Sequence, residues 1–123
     1  RALREAAISG KPCFFLGTDS APHSRDGKES SCGCAGIFNA PYALESYAEV
    51  FDQEDALDRL EAFASEYGAS FYGLPLNSGF VTLVREDQVI PKTLLAKELD
   101  CVEKHLVPFH AGEKLHWRFS CIE

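Results

Sequence analysis

At 123 residues the chain is long enough for one domain and too short for two. Its content of 46% hydrophobic and 25% charged residues describes a globular chain and excludes a disordered one. The net charge of −7, from 19 acidic and 12 basic residues, repels phosphate backbones, and no long apolar run offers a membrane span.

Arg1, Arg4 and Glu5 charge the first ten residues, which therefore lack the apolar core of a signal peptide. Ala2 to Ile8 has helical spacing, and Ser9-Gly10 stops it. Cys13-Phe14-Phe15-Leu16 is a short apolar run between Lys11-Pro12 and Gly17, the pattern of a strand buried on both faces. Residues 17–36 are rich in Gly, Ser, Asp and Pro, without period, and a loop of that length in a compact domain is usually functional. Asn39-Ala40-Pro41 opens a second helix, with Asn39 as its cap and Ala43, Leu44, Tyr47, Val50 and Phe51 as its apolar face. After a polar break at Asp52 to Asp55, a third helix carries Leu57, Leu60, Phe63, Ala64 and Tyr67 and is expected to stop at Gly68. Phe71 to Leu76 reads as a short turn or 3₁₀ piece, Phe80 to Ile90 as a strand, and Leu106 to Ile122 as a strand pair around Ala111-Gly112.

The five cysteines (Cys13, Cys32, Cys34, Cys101 and Cys121) are odd in number and irregularly placed, which suits reduced thiols and a cytoplasmic location. The doubly buried strand has no parallel neighbour elsewhere in the sequence, and an unpaired core backbone group costs about 1–3 kcal/mol. Together with a start at Arg1 and no methionine, this predicts a segment of a longer polypeptide.

A strand that ends in Gly17-Thr18-Asp19 and opens into a long loop is the unit from which barrel active sites are built, with side chains emerging at strand C-termini. A carboxylate at that point can ligate a metal and exchange a proton. Spacing alone fits somewhat better with Asp19 and Ser20 as helix-cap or turn residues and His23 as a solvated loop residue.

The run Phe14-Phe15-Leu16-Gly17-Thr18-Asp19-Ser20-Ala21-Pro22-His23 resembles the eighth-strand motif of dihydroorotases in the amidohydrolase superfamily. It continues through Lys28-Glu29-Ser30-Ser31-Cys32-Gly33-Cys34-Ala35-Gly36 and Phe38-Asn39-Ala40-Pro41, which is similar to the compact single-domain bacterial type. Weaker likeness extends through Phe71 to Pro75 and Leu106-Val107-Pro108-Phe109 to Trp117. The resemblance implies an α/β fold, the C-terminal portion of a (β/α)8 metal-dependent hydrolase barrel. Residues 1–78 would form its last βα region and helices, and residues 79–123 a C-terminal extension. It implies zinc-dependent, reversible closure of N-carbamoyl-L-aspartate to dihydroorotate at a two-zinc centre, in pyrimidine biosynthesis. Asp19 would be both zinc ligand and proton carrier, His23 would bind the substrate carboxylate, and the backbone of Ala35 and Gly36 would contact the substrate. Homodimers are common in that family.

The family's remaining zinc ligands have no counterpart here, so the N-terminal remainder of the barrel is the expected partner, and the chain alone is expected to be inactive. Cys32-Gly33-Cys34 lacks the second pair of a zinc clip and is expected to pack as small residues. Solvated or locally bonded roles are expected for His105, His110 and His116, a surface pair or, on the family match, a loop-shaping role for Lys28-Glu29, and an exposed loop tip for Arg25 to Gly27. Two other readings remain open: a cyclic amidohydrolase acting on a hydantoin or allantoin, and a metal-free, non-catalytic homologue.

Overall fold

A computed structural model describes residues 1–97 and 103–122, so Cys101 lies outside the described residues. Helices and strands are mixed, and two units divide the chain: residues 1–17, 44–87 and 116–123 form one, residues 18–43 and 88–115 the other.

In the first unit, helix α1 (Ala2–Ala7) ends where the Ser9 hydroxyl donates to the Ala6 carbonyl at 2.6 Å and Gly10 turns the chain at φ 72°. The Arg59 guanidinium donates to the Ile8 carbonyl at 2.5 Å, and the Tyr67 hydroxyl to the Gly10 carbonyl at 3.0 Å. These bonds tie the helix end to residues more than fifty positions away.

Cys13 to Leu16 is not a strand buried on both faces. Cys13 is exposed and Phe14 is 40% exposed, while Leu16 packs on the core and its N–H donates to the Phe63 carbonyl at 3.0 Å. A doubly buried strand needs ladder partners on each edge. With none among the described residues, this run follows the helical core it touches.

That core is Phe51, Ala56 and Phe63, bordered by Ala7, Ile8, Leu16, Tyr47, Leu57 and Leu60. Helix α3 (Ala43–Gln53) supplies Phe51, which is fully buried and worth roughly 1.5–3 kcal/mol on burial. The rings of Tyr47 and Phe51 meet Phe63 at centroid distances of 5.5 and 5.2 Å. The expected break at Asp52 to Asp55 overlaps the last turn of α3, and the reversal falls at Asp55, φ 52°.

The third helix is a 3₁₀ turn (Leu57–Arg59), a π turn (Ala62–Glu66) and helix α4 (Tyr67–Tyr72). Gly68 does not stop it, and Phe71 and Tyr72 are its last turn. The helix ends at Gly73, φ 65°, whose N–H donates to the Ser70 carbonyl. Gly68 answers a packing demand instead: a Cβ there would stand 3.2 Å from the Phe15 ring.

Strands β1 (Val81–Val89) and β4 (Lys114–Ile122) pair as a two-stranded sheet. Within the first unit, one face of α3 meets β4 through Glu45, Glu49 and Asp52, spaced at helical intervals. The Glu45 carboxylate, 6% exposed, accepts from the Phe119 N–H at 3.4 Å. Glu49 accepts from the His116 N–H at 2.9 Å and lies 2.7 Å from its ring Nδ1. Burial pushes the Glu49 carboxyl up, but bonds from the His116 backbone and ring, the His116 charge and Gln53 outweigh it and hold the pKa below the usual range. His116 is therefore bonded across the unit, where a solvated or local role was expected. Asp52 accepts from Trp117 Nε1 at 3.3 Å and from Arg85 at 2.6 Å.

In the second unit, the expected structureless loop holds a short helix, α2 (Arg25–Lys28), capped by the Ser24 hydroxyl accepting from the Gly27 N–H at 3.3 Å. Asn39 does not cap the 3₁₀ turn that follows it (Ala40–Tyr42). Strands β2 (Leu94–Lys97) and β3 (Glu103–Leu106) form an antiparallel pair with Leu94 opposite Leu106. The tail is thus no hairpin of its own: β3 pairs with β2, and β4 with β1. The turn at Ala111-Gly112 is present, with Gly112 at φ 80° donating to the carbonyl of Ile90, which is 1% exposed.

Candidate functional site

Residues 18–40 belong to the second unit and are closed on themselves by a set of hydrogen bonds. The Asn39 side-chain amide donates to the Thr18 carbonyl at 2.9 Å, and the Ala40 N–H to the Ser20 hydroxyl at 3.1 Å. Asn39 thus bridges backbone across the loop mouth, and its Oδ1 is buried without a partner among the described residues. One step further in, the Ala21 N–H donates to the Ile37 carbonyl at 2.9 Å. Deeper still, the Cys34 N–H donates to the Gly27 carbonyl at 3.2 Å, and the Ser30 hydroxyl to the same carbonyl at 3.0 Å. The loop is a pair of arms pinned to each other at successive levels.

This pinning brings the two sequence-predicted runs together. Gly36 adopts φ 109°, and a Cβ there would lie 2.4 Å from the Ala21 Cβ, so only glycine fits where the arms cross. Asp19 to His23 occupies one arm, and Ala35-Gly36 the other. All four candidate residues are exposed. Asp19 stands at φ 44°, an uncommon conformation that Asp tolerates better than most residues, at the point where the chain leaves the Leu16-Gly17 segment. Its carboxylate has no hydrogen bond or ion pair among the described residues. It does not tie off the turn. The His23 N–H donates to the Ala21 carbonyl at 3.0 Å, a tight local turn around Pro22.

Lys28 and Glu29 do not form the expected surface pair. The Lys28 Nζ reaches the Gly36 carbonyl, while Glu29 pairs with Arg25 at 3.0 Å. Lys28 and Asn39 both lay within the recognised motif runs, but their partners, eight and twenty-one residues distant, gave no local signal. Cys32 and Cys34 are exposed rather than packed, although the Cys34 sulfur stands 3.7 Å from where a Gly27 Cβ would be. Cys13, Cys32 and Cys34 form no disulfide among the described residues.

Among the described residues no three His, Cys, Asp or Glu side chains converge on one point. Asp19 by itself does not fit a two-zinc centre, which needs several N, O or S donors around each ion. A cavity of about 420 Å³ lies in the first unit, lined by Leu44, Leu57, Leu60, Leu83 and Trp117 among others. None of Asp19, His23, Ala35 and Gly36 lines it. No helix among the described residues is long and apolar enough to cross a membrane.

The chain is 65% identical over 119 residues to a dihydroorotase of Synechococcus sp. strain CC9902, a match covering 97% of this chain and 32% of that protein. Nearly the whole chain is therefore similar to one part of a dihydroorotase. A dihydroorotase of Erythrobacter litoralis is 59% identical over the same length. Among solved structures, the dihydroorotase of Saccharomyces cerevisiae, in complex with 5-fluoroorotic acid, superposes with a TM-score of 0.85 at 38% identity, over 97% of this chain and 33% of its own. The dihydroorotase of Campylobacter jejuni gives 0.77 at 32% identity, over 98% and 33%. No family model matches the chain. It spans about a third of the length of the dihydroorotases it matches.

Proposed function

We propose that this chain supplies one part of a dihydroorotase active site, as the last strand region and C-terminal extension of a (β/α)8 barrel whose other strands lie outside these 123 residues. The observation that carries the reading is the crossing of the two arms at Gly36 and Ala21, which joins both motif runs in a chain similar over 97% of its length to dihydroorotases. In this reading the substrate pair is dihydroorotate and N-carbamoyl-L-aspartate.

Hydrolysis of the ring amide forms a bond from water oxygen to the carbonyl carbon, breaks the C–N bond and places a proton on the departing nitrogen. Asp19 accepts the proton of the attacking water and returns it to that nitrogen, and ring closure runs the same path backwards. An exposed carboxylate without a competing partner is free for that task. His23 and the backbone at Ala35 and Gly36 hold the substrate, with the glycine permitting close approach. Zinc, when bound, supplies carbonyl polarisation and a water that ionises near neutral pH. Asp19 would be one of its ligands, and the others must come from outside this chain.

The test is an assay of the complete polypeptide carrying this segment, with dihydroorotate and hydantoin as competing substrates and metal content measured alongside. Preference for dihydroorotate supports the reading. Preference for hydantoin, or no turnover by metal-loaded protein, overturns it.

A further inference from the structure

The tail segment Leu106-Val107-Pro108-Phe109 has no part in the chemistry above, yet it touches both arms of the loop. Leu106 forms an antiparallel bridge with Ser24, the residue after His23. The Phe109 N–H donates to the carbonyl of Phe38, two residues beyond Gly36, at 2.8 Å. Helix α2, on the incoming arm, also packs against β3. Two residues three apart on one stretch of backbone therefore grip the two arms, about 10 Å apart if the stretch is fully extended.

The stretch is built to hold its length. Pro108 is buried, and its ring fixes φ near −65° at the middle of the span. One end is the β2–β3 ladder, with Leu106 opposite Leu94. The other end is a turn closed by the Glu113 N–H donating to the His110 carbonyl at 2.8 Å. Ile90 anchors that turn: its N–H donates to the Glu113 carbonyl and its carbonyl accepts from Gly112, both at 2.9 Å. The His110 ring lies 3.9 Å from the Phe109 ring and 2.7 Å from the Glu113 carboxylate.

We propose that Leu106–Phe109 is a positioning clamp for the substrate loop, holding the arm that follows His23 and the arm that follows Gly36 at a set separation, so that the Ala35-Gly36 backbone meets substrate without first being ordered. The proposal rests on the reading of that loop as the substrate-binding element. A loop pre-set in its bound form spares the ordering entropy, and the saving appears in affinity rather than in the chemical step. Leu106, Pro108 and Phe109 are positioning residues and touch no reacting atom.

Two changes to the complete, metal-loaded protein loosen the clamp by different means. Replacing Phe109 with its α-hydroxy analogue turns the Pro108–Phe109 amide into an ester, which removes the N–H that reaches Phe38 and weakens the Pro108 carbonyl as acceptor of the Ala111 N–H. Pro108→Gly keeps the bond to Phe38 and frees the span. Amide hydrogen exchange at Ala21 and Cys34 reads loop order without substrate, and steady-state kinetics with dihydroorotate read its consequence. The expected result is faster exchange at both amides and a KM raised roughly fivefold by the ester, the size of one lost backbone hydrogen bond, with kcat within about twofold of the parent. An unchanged KM, or a kcat loss at constant KM, overturns the clamp. A parent protein that does not turn over dihydroorotate fails the functional reading instead, and the exchange rates still decide whether the tail orders the loop.

Discussion

The two units of this chain hold their shapes by different physics. In the first, Phe51, Ala56 and Phe63 remove apolar surface from water, and the surrounding helices follow from that burial. In the second, the residues of interest are exposed, and backbone and side-chain hydrogen bonds between neighbouring arms fix them: Asn39 to Thr18, Ala40 to Ser20, Ala21 to Ile37. Burial is non-directional and tolerates small shifts, whereas hydrogen bonds specify geometry but contribute only about 1 kcal/mol each. The lesson is a division of labour. In the first unit the apolar core supplies stability, whereas in the second a polar framework places the candidate chemistry.

Substitutions can break that contrast. The largest effect is expected from Phe51→Ala, which leaves a cavity in the first unit and should destabilise the protein by about 3–5 kcal/mol in urea melts. Its kcat per folded molecule should stay near the parent value; a proportional loss of kcat would erase the division. Asp19→Asn is the converse case. Turnover of dihydroorotate by the complete protein should fall about 10²–10⁴-fold, while Tm holds, because the side chain is exposed and Asn accepts a positive φ. A marked fall in Tm would make Asp19 a structural turn residue after all.

Gly36→Ala tests the arm crossing, where the new methyl would press on Ala21 and the backbone would be strained at φ 109°. A cost of about 1–3 kcal/mol is expected, read as a raised KM together with faster proteolysis at residues 25–36. Unaltered kinetics would show that the arms can part without consequence. The smallest effect is expected from Glu49→Gln, about 1 kcal/mol or less at neutral pH. Glu49 has a lowered pKa in the folded state, so the stability it contributes is present above the ordinary carboxylate range and is lost as pH falls through the lowered value. The parent and the variant should therefore converge in Tm as the solution is acidified, and parallel Tm curves would remove Glu49 from the account.

Parts of the molecule whose cause is local were legible in the sequence. Helices α1 and α3 follow from apolar spacing within a few residues, and β1 from its alternation. The stop at Gly68 was misplaced because the reason for that glycine is the Phe15 ring, more than fifty residues away in the chain. Asn39 was expected to cap a helix because capping is its usual local role, but its amide spans the loop mouth to Thr18. The pairing of β2 with β3, and the grip of Leu106 and Phe109 on the loop, depend on partners that no short window of sequence contains.

By itself, the order of residues determined the amphipathic helices, the long polar loop and the motif runs that resemble dihydroorotases, because periodicity, breaker residues and motif spacing act over neighbouring positions. Only the tertiary structure decided that Cys13 to Leu16 leaves the ladder pattern, that the two motif runs cross at Gly36, and that the tail reaches back to brace them. Those outcomes turn on which distant groups meet, and a hydrogen bond or steric contact exists only once both partners have been brought together.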